Sequence, residues 1–150
     1  MKESNTHKTF IFDLDGTLFE TIAVIHEDEN GNPDFREFNS SRLLLEHSEP
    51  RLTMLALAKQ VQDEGHTVYI LTARQKAISQ AIMDLLKQYG IHPKYVFCVG
   101  DLGLDVAAYK AELMVEITAG TPSYFYDDEL ENLEAVAKLE LPNLKIYQAW

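Results

Sequence analysis

Five short apolar runs, separated by segments with helical spacing, constrain the fold of this 150-residue chain more than any other feature of its sequence. Most of the runs are apolar at successive positions, which is typical of strands in a sheet that helices cover on both faces. Their alternation with helical segments predicts a three-layer α/β fold, in which helices cover both faces of a parallel sheet of about five strands. The predicted strands are Lys8–Leu14, Thr67–Thr72, Tyr95–Val99, Ser123–Asp127 and Leu144–Gln148.

Helices are predicted where apolar residues recur at intervals of three and four positions. The clearest pattern covers Gln75–Tyr89, and Gly90 is the residue expected to end that helix. Another helix is expected to include Pro50 in its first turn and to end at Gly65. Two further helices are predicted at Val106–Thr118 and Glu129–Leu139.

Residues 20–49, which we call the flap, interrupt this alternation just after the first strand. The flap contains Asn30-Gly31, a strong signal for a β-hairpin turn, between the segments Ala23–His26 and Phe35–Phe38. About thirty residues are too few for a second domain with its own core. We therefore expect one domain over residues 1–150, with the flap as a small β-flap or minimal lid.

Composition excludes several classes of protein. Cys98 is the one cysteine, so an internal disulfide or a cysteine zinc site is excluded and a reducing compartment is expected. No apolar run approaches the roughly 18 residues of a membrane span, and we expect a cytoplasmic protein without membrane contact. The net charge of −11 argues against broad, non-specific binding of nucleic acid, although it leaves room for a local basic pocket. Nothing in the sequence indicates an obligate protein partner.

Two carboxylates follow the first predicted strand, where an apolar run gives way to a loop. Asp13 and Asp15 are two positions apart, so in a strand they would share a face and converge beyond the carboxyl end of the sheet. Ligands of open parallel sheets bind at that end. Because paired carboxylates repel each other, a hard divalent cation such as Mg²⁺ would stabilise them. Two solvated loop acids beside a turn glycine would give the same pattern.

The string FDLDGTLF, residues 12–19, is more specific than the two acids alone. It resembles the first motif of the haloacid dehalogenase-like (HAD) phosphotransferase superfamily, in which apolar residues precede DxDGT. The resemblance extends from Phe10 to about Leu133, nearly the whole chain. It implies a Rossmann-like fold, a phosphatase activity and Mg²⁺ as cofactor. The compact layout is also similar to the phosphatase domain of polynucleotide kinase-phosphatases.

The second family motif is a Ser or Thr at the end of the second strand, and Thr72 occupies that position before Ala73 and Arg74. The resemblance implies that Thr72 binds a phosphoryl oxygen, together with backbone N–H groups of the loop that contains Gly16 and Thr17. Arg74 could add a charge-assisted hydrogen bond to the same group. Taken alone, Thr72 could equally be a helix N-cap and Arg74 a solvated side chain.

The family also has a lysine that balances the charge of the nucleophile and the bound phosphoryl group. Lys110 is the favoured candidate, because it lies early in the helix that leads to the fourth strand. Lys94, just before the third strand, is the alternative. Surface solubility alone would account for either lysine.

The fourth family motif is an acid pair after the fourth strand, and Asp127 and Asp128 supply it. As an alternative, these acids could only cap the following helix. Asp101 and Asp105, in the string GDLGLD, form a competing pair after the third strand. We reject this competing pair, since it would leave Asp127 and Asp128 without a role.

The resemblance implies a mechanism in which Asp13 attacks phosphorus and Asp15 acts as general acid and then general base. Mg²⁺ would be bound by Asp13, Asp127 and the backbone carbonyl of Asp15, and Asp128 would bind the metal or orient its water. With no room for a large cap domain, the open site suits a large substrate or a protruding end. The similarity to polynucleotide kinase-phosphatases implies a nucleotide or the 3′-phosphate of a nucleic acid end. The alternatives are a small-metabolite phosphatase, a phosphoprotein phosphatase and a non-catalytic metal-binding module of the same fold.

Overall fold

Strands and helices alternate along the chain in the computed structural model, which describes residues 6–21 and 26–149. The strands of these residues are β1 (Thr9–Phe12), β2 (Phe19–Glu20), β3 (His26–Glu27), β4 (Pro33–Asp34), β5 (Glu49–Pro50), β6 (Thr67–Thr72), β7 (Tyr95–Cys98), β8 (Ser123–Asp127) and β9 (Leu144–Gln148). The helices are α1 (Ser41–His47), α2 (Leu52–Asp63), α3 (Ser79–Lys87), α4 (Val106–Ile117) and α5 (Leu130–Ala137).

A parallel sheet of five strands forms the centre of the fold, in the order β7-β6-β1-β8-β9. β1 lies in the middle, and its Phe12 is in register with Ile70 of β6 and Tyr126 of β8. Because all five strands run the same way, their carboxyl ends meet at one edge. The residues that follow β1, β6 and β8 are therefore neighbours there, although they are far apart in sequence.

Alternating side chains of the sheet divide the apolar core into two layers. Phe10 and Phe12 of β1 pack on one side with residues of α2 and α3, whereas Ile11 packs on the other side with residues of α4 and α5. The predicted α/β class, the five-stranded parallel sheet and the helices on both faces are confirmed. The predicted strands of the sheet agree with the observed ones within two residues at each end.

The flap is less regular than the sequence predicts. A hairpin of two residues per strand joins β3 and β4 around Gly31. Residues 35–38 do not form a strand, because Phe35 has no regular structure and a turn begins at Arg36. Of the other predicted flank, residues 23–25 lie outside the described part of the chain. The helix α1 was not predicted, although Ser40 caps it by accepting a hydrogen bond from the backbone N–H of Leu43.

The prediction that Pro50 begins a helix is wrong. Pro50 lies in β5, which pairs antiparallel with β2, and α2 begins two residues later at Leu52. This pairing returns the chain to the end of β1 after the flap. The segment predicted as one helix from Gln75 begins with a 3₁₀ turn at Lys76–Ile78 before α3. Within the described residues, every helix is too short or too polar to cross a bilayer.

Candidate active site

The carboxyl ends of β1 and β8 bring two buried carboxylates together. Asp13 follows β1 and Asp127 ends β8, and the backbone N–H of Asp13 donates to the carbonyl oxygen of Tyr126 at 2.9 Å. Both aspartates are buried. The parallel pairing of the two strands thus places the first and fourth sequence motifs side by side.

Lys110 lies between these two carboxylates. Its Nζ is 3.0 Å from Asp13 Oδ1 and 2.8 Å from Asp127 Oδ2, and the side chain is 1% exposed. Lys110 reaches this position because it shares the buried face of α4 with Ala107, Ala111 and Met114. Burial alone would lower the pKa of Lys110, but attraction to the two carboxylates is stronger and raises the pKa above its ordinary value.

Lys94, the alternative to Lys110, is exposed and precedes β7. The structure therefore brings Lys110 and not Lys94 into contact with Asp13.

A third carboxylate completes an acidic cluster beside Lys110. Asp13, Asp127 and Asp128 each offer an oxygen within 4.8 Å of the others. Oδ1 of Asp128 is buried and has no hydrogen-bond partner among the described residues. Burial raises the pKa of Asp13 well above its usual range, and repulsion from Asp127 adds to this, while Lys110 opposes it. Three carboxylates facing one ammonium leave an excess of negative charge that a hard cation with oxygen ligands would offset.

The loop after β1 packs closely against this acidic cluster. Gly16 has a φ of +80°, and a Cβ atom there would collide with the carboxylate of Asp128. The hydroxyl of Thr17 donates to Asp13 Oδ2 at 3.3 Å. The backbone N–H groups of Gly16 and Thr17 donate to the carbonyl oxygens of Phe19 and Leu14, so in this conformation both are used inside the turn.

Thr72 and Arg74 lie next to the loop, at the end of β6. Thr72 is buried, and its Oγ1 accepts a hydrogen bond from the backbone N–H of Arg74 at 3.2 Å. The guanidinium of Arg74 pairs with Asp15, donates to the carbonyl oxygen of Phe38 and stacks on the Phe38 ring at 4.3 Å. For Arg74 the sequence leaves open a phosphoryl contact and a solvated side chain. In the structure the side chain is buried and pairs with Asp15, and the phosphoryl contact stays a prediction.

A cleft of about 360 Å³ opens beside Asp13 and Lys110, and neither Thr72 nor Arg74 is among the described residues that line it. Asp13, Asp15, Ala73 and Lys110 line it, so the cleft joins candidates from three of the sequence motifs. Its remaining lining residues are Phe38, Leu104, Val106, Glu129, Glu131 and Asn132.

Three residues that line the cleft belong to none of the sequence motifs: Asn132, Glu129 and Phe38. Asn132 is buried, and its Nδ2 donates to Asp127 Oδ2 at 3.0 Å, which fixes that carboxylate. The backbone N–H of Glu129 donates to Asp127 Oδ1, and burial with repulsion from Asp128 and Asp127 raises the Glu129 pKa. A polar residue on the apolar face of α5 was a readable signal for Asn132, whereas no local pattern marks Phe38.

The competing acid pair lies outside the cluster. Asp101 is exposed and accepts a hydrogen bond from the backbone N–H of Lys76 at 2.6 Å. Asp105 is the N-cap of α4 and accepts from the backbone N–H of Ala108. Asp105 thus caps a helix and is not part of the acidic cluster.

The family model described as HAD superfamily, subfamily IIIB (acid phosphatase) matches residues 1–134. No curated protein matches the chain.

Several solved structures share the fold. A chain of the Pnkp1/Rnl/Hen1 complex has a TM-score of 0.69 and 21% sequence identity, and the match covers 99% of this chain and 47% of that one. The chain thus spans about half the length of that protein. A second structure of this complex, described as an RNA repair complex, has a TM-score of 0.68 and 19% identity over 99% of this chain and 45% of that chain. A HAD family enzyme from Bacteroides thetaiotaomicron, solved as a mutant with magnesium and inorganic phosphate, has a TM-score of 0.57 and 12% identity over 95% and 93% of the two chains.

Proposed function

The chain belongs to the HAD superfamily, subfamily IIIB, and from this membership we propose that it is a Mg²⁺-dependent phosphomonoester hydrolase that acts through an aspartyl-phosphate intermediate. The family is one of phosphatases, so phosphate ester hydrolysis is the activity that membership indicates. We further propose the metal, the intermediate and the roles of the individual residues.

The contact of Lys110 with Asp13 carries the proposal. A nucleophilic carboxylate must be ionised, yet burial and the neighbouring Asp127 favour the protonated form of Asp13. The ammonium 3.0 Å away favours the ionised form and would also attract a phosphoryl group. A buried lysine shared by two carboxylates at the carboxyl edge of a parallel sheet suits catalysis on an anionic substrate.

Asp15 suits the proton transfers, because it lines the same cleft as Asp13 but lies outside the acidic cluster. In the first step an oxygen of Asp13 attacks phosphorus, the bond from phosphorus to the leaving oxygen breaks, and Asp15 protonates that oxygen. In the second step water attacks the phosphorus of the aspartyl-phosphate and gives its proton to Asp15. The bond between phosphorus and Asp13 then breaks and releases phosphate.

Asp13, Asp127 and Asp128 are the side chains that would hold Mg²⁺, with the backbone carbonyl of Asp15 as a further ligand. The unpaired, buried Asp128 Oδ1 and the three converging carboxylates support this set, since Mg²⁺ prefers oxygen ligands. When bound, Mg²⁺ supplies positive charge that lets an anionic nucleophile approach an anionic ester.

Thr72 and Lys110 are the proposed ligands of the phosphoryl oxygens, with Ala73 in the wall of the cleft. Arg74 holds Asp15 in place. The backbone N–H groups of Gly16 and Thr17 now donate to carbonyl oxygens inside the turn that follows β1. They would bind phosphoryl oxygens only if this turn rearranges.

The proposed substrate is a nucleotide or the 3′-phosphate of a nucleic acid end. The cleft is bordered by the flap through Phe38, and we assign the flap the role of a minimal lid in a single catalytic domain. The shared fold with a chain of an RNA repair complex makes nucleic acid ends a class worth testing. The flap carries eight acids and two arginines, which favours a short phosphorylated end over a long polyanion.

The test is release of phosphate from adenosine 3′-monophosphate, a 3′-phosphorylated oligonucleotide, a sugar phosphate and a phosphopeptide, each with Mg²⁺ or with EDTA. We expect Mg²⁺-dependent release, its loss in Asp13→Asn, and wild-type activity in the matched variant Asp105→Asn. Hydroxylamine traps acyl phosphates, so mass spectrometry of the quenched enzyme should place the modification on Asp13. Metal binding without turnover of any substrate would favour the non-catalytic module, and turnover that survives Asp13→Asn would contradict the mechanism.

A further inference from the structure

A second cavity, of about 400 Å³, adjoins the proposed active-site cleft. The cleft and the cavity share lining residues. A molecule with its phosphate beside Asp13 could therefore extend from the cleft into the second cavity and stay in contact with the protein. The volume lies in the range of small-molecule sites. The shared residues are Phe38, Ala73, Leu104 and Val106.

One wall of this cavity is the loop between β7 and α4. Leu102 is 57% exposed and Leu104 is 71% exposed, although both belong to the wall. Gly100 anchors the loop, because its N–H donates to the Arg74 carbonyl oxygen at 3.1 Å and its Cα packs against the backbone of Ala73 and Arg74. Single exposed leucines are ordinary, but two that border one cavity form an apolar surface suited to a ligand.

Another wall comes from the flap, through Phe35 and Phe38. Like the loop between β7 and α4, the flap is hydrogen-bonded to the segment that follows β6. Arg74 donates to the Phe38 carbonyl oxygen and stacks on its ring, and the backbone N–H of Gln75 donates to Asn39 Oδ1 at 2.7 Å. Both walls are thus fixed to the strand end that carries Thr72, which gives the cavity a defined position relative to the phosphoryl site.

The charges around the cavity limit what it can bind. Asp101 is the one charged side chain among the described residues that line it. A neighbouring cleft shares Phe35, Asn39 and Gln75 with the cavity and is bordered by Asp28, Asp34 and Arg36. Because Arg36 pairs with Asp34, Asp28 is the acid of this cleft that adds to the negative charge of Asp101. An anionic group of the ligand inside this cavity would therefore be repelled. The amide of Gln75 can donate to and accept from polar atoms on the edge of a ring.

We propose that this cavity binds the leaving group of the substrate, and that the leaving group carries an uncharged planar aromatic ring such as a nucleobase. The ring packs between the two leucines and the two phenylalanines while the phosphate lies beside Asp13. The inference rests on the proposed phosphatase function and deepens it, since it assigns the chemical class of the substrate's other end.

The test compares benzyl phosphate with ethyl phosphate, because both leaving groups are primary alcohols and differ chiefly in the ring. We expect the wild-type enzyme to show at least about a tenfold higher kcat/KM for benzyl phosphate. Leu102→Ala should lower the benzyl-to-ethyl ratio about fivefold. Leu139→Ala, two residues after the end of α5 and outside the lining of both cavities, should leave the ratio unchanged. Leu102 and Leu139 are both exposed, so neither change should prevent folding. Equal values for the two esters, or an unaltered ratio in Leu102→Ala, would overturn the inference.

A binding arm separates failure of the subsite from failure of the proposed function. Calorimetry with benzylphosphonate and ethylphosphonate in the presence of Mg²⁺ needs no turnover. Tighter binding of benzylphosphonate that Leu102→Ala abolishes supports the subsite even if neither ester is hydrolysed. Equal affinities contradict the subsite even if both esters are hydrolysed. Comparison of kcat/KM for adenosine 3′-monophosphate and ribose 3-phosphate then tests whether a nucleobase gives the same gain as a benzyl ring. Equal values for these two would limit the site to rings other than adenine.

Discussion

The guanidinium of Arg74 holds the carboxylate of Asp15, with Nη2 2.6 Å and Nε 3.0 Å from its oxygens. The side chain of Arg74 is fully buried, whereas that of Asp15 is 21% exposed to the cleft. Arg74 also contacts Phe38 through its backbone carbonyl and its ring, so one side chain links the flap to the proposed general acid. We therefore propose that Arg74 positions Asp15.

Replacing Arg74 should damage proton transfer to the leaving group more than it damages phosphate binding. In Arg74→Met we expect kcat for an alkyl phosphate to fall about a hundredfold, since a displaced general acid forfeits much of its contribution. For p-nitrophenyl phosphate, whose leaving group needs little protonation, the fall should be about tenfold or less. The measurement is steady-state kinetics on both esters, with thermal unfolding to follow the fold.

Arg74→Lys is the conservative control for this prediction. It keeps the charge but loses the paired contact, so it should restore part of the alkyl phosphate activity. Equal losses on the two esters in Arg74→Met would show that Arg74 serves the fold or the phosphate and does not position the acid.

Lys110 and Lys94 should differ sharply when each is replaced by Met. Removal of Lys110 leaves Asp13 and Asp127 without their shared cation, and breaking a buried ion pair in this way costs about 3–5 kcal/mol. We expect Lys110→Met to lower the free energy of unfolding by that order in EDTA and to reduce phosphatase activity at least about a hundredfold. Lys94 is exposed, so Lys94→Met should leave both near wild type. Chemical denaturation and phosphate release measure the two effects, and full activity in Lys110→Met would exclude Lys110 as the family lysine.

Mg²⁺ should stabilise the folded protein through Asp128. At a concentration one hundred times its Kd, a ligand that binds only the folded state adds about 2.7 kcal/mol of stability. In Asp128→Asn we expect this gain to disappear in thermal unfolding. Without metal the variant should be at least as stable as wild type, because one of three mutually repelling carboxylates is gone.

Asp105→Asn is the matched control for Asp128→Asn. Asp105 belongs to the competing acid pair and caps α4, a role that Asn also fills well. The stabilisation by Mg²⁺ should therefore persist in Asp105→Asn. Its loss there, with retention in Asp128→Asn, would move the metal site to the competing pair.

The central sheet could be predicted because its signals are local. Residues such as Ile11 and Phe12 are apolar on both faces of β1, and the runs in β6 and β8 have similar character. The flap could not be predicted as well, because its short strands depend on distant partners. Pro50 suits a helix start in isolation, and only its pairing with Phe19 across the flap places it in a strand.

The candidate site could be predicted where a residue follows a strand, and less well where contacts decide. Asp13, Thr72 and Asp127 follow from strand ends, since parallel strands bring those ends together. Strand ends do not reveal the partner of Arg74. Asp15 is 59 residues away in the sequence, and solvent or a phosphate group would be equally reasonable partners for an arginine. The contact of Phe38 with Arg74 depends in turn on how the flap folds back.

Gly16 and Gly31 form a matched pair that tests the packing of the loop against Asp128. Both have a φ of +80°, but a Cβ atom at Gly16 would collide with the Asp128 carboxylate, whereas nothing lies within 4 Å of a Cβ atom at Gly31. Gly31→Ala should cost only the backbone strain, about 1–2 kcal/mol of the free energy of unfolding. Gly16→Ala should cost more and should also abolish the stabilisation by Mg²⁺, because Asp128 must move away from Asp13 and Asp127. Chemical denaturation of both variants with Mg²⁺ and with EDTA measures these differences. Equal costs and a retained Mg²⁺ effect in Gly16→Ala would show that Asp128 can shift freely and does not depend on the glycine for its place in the cluster.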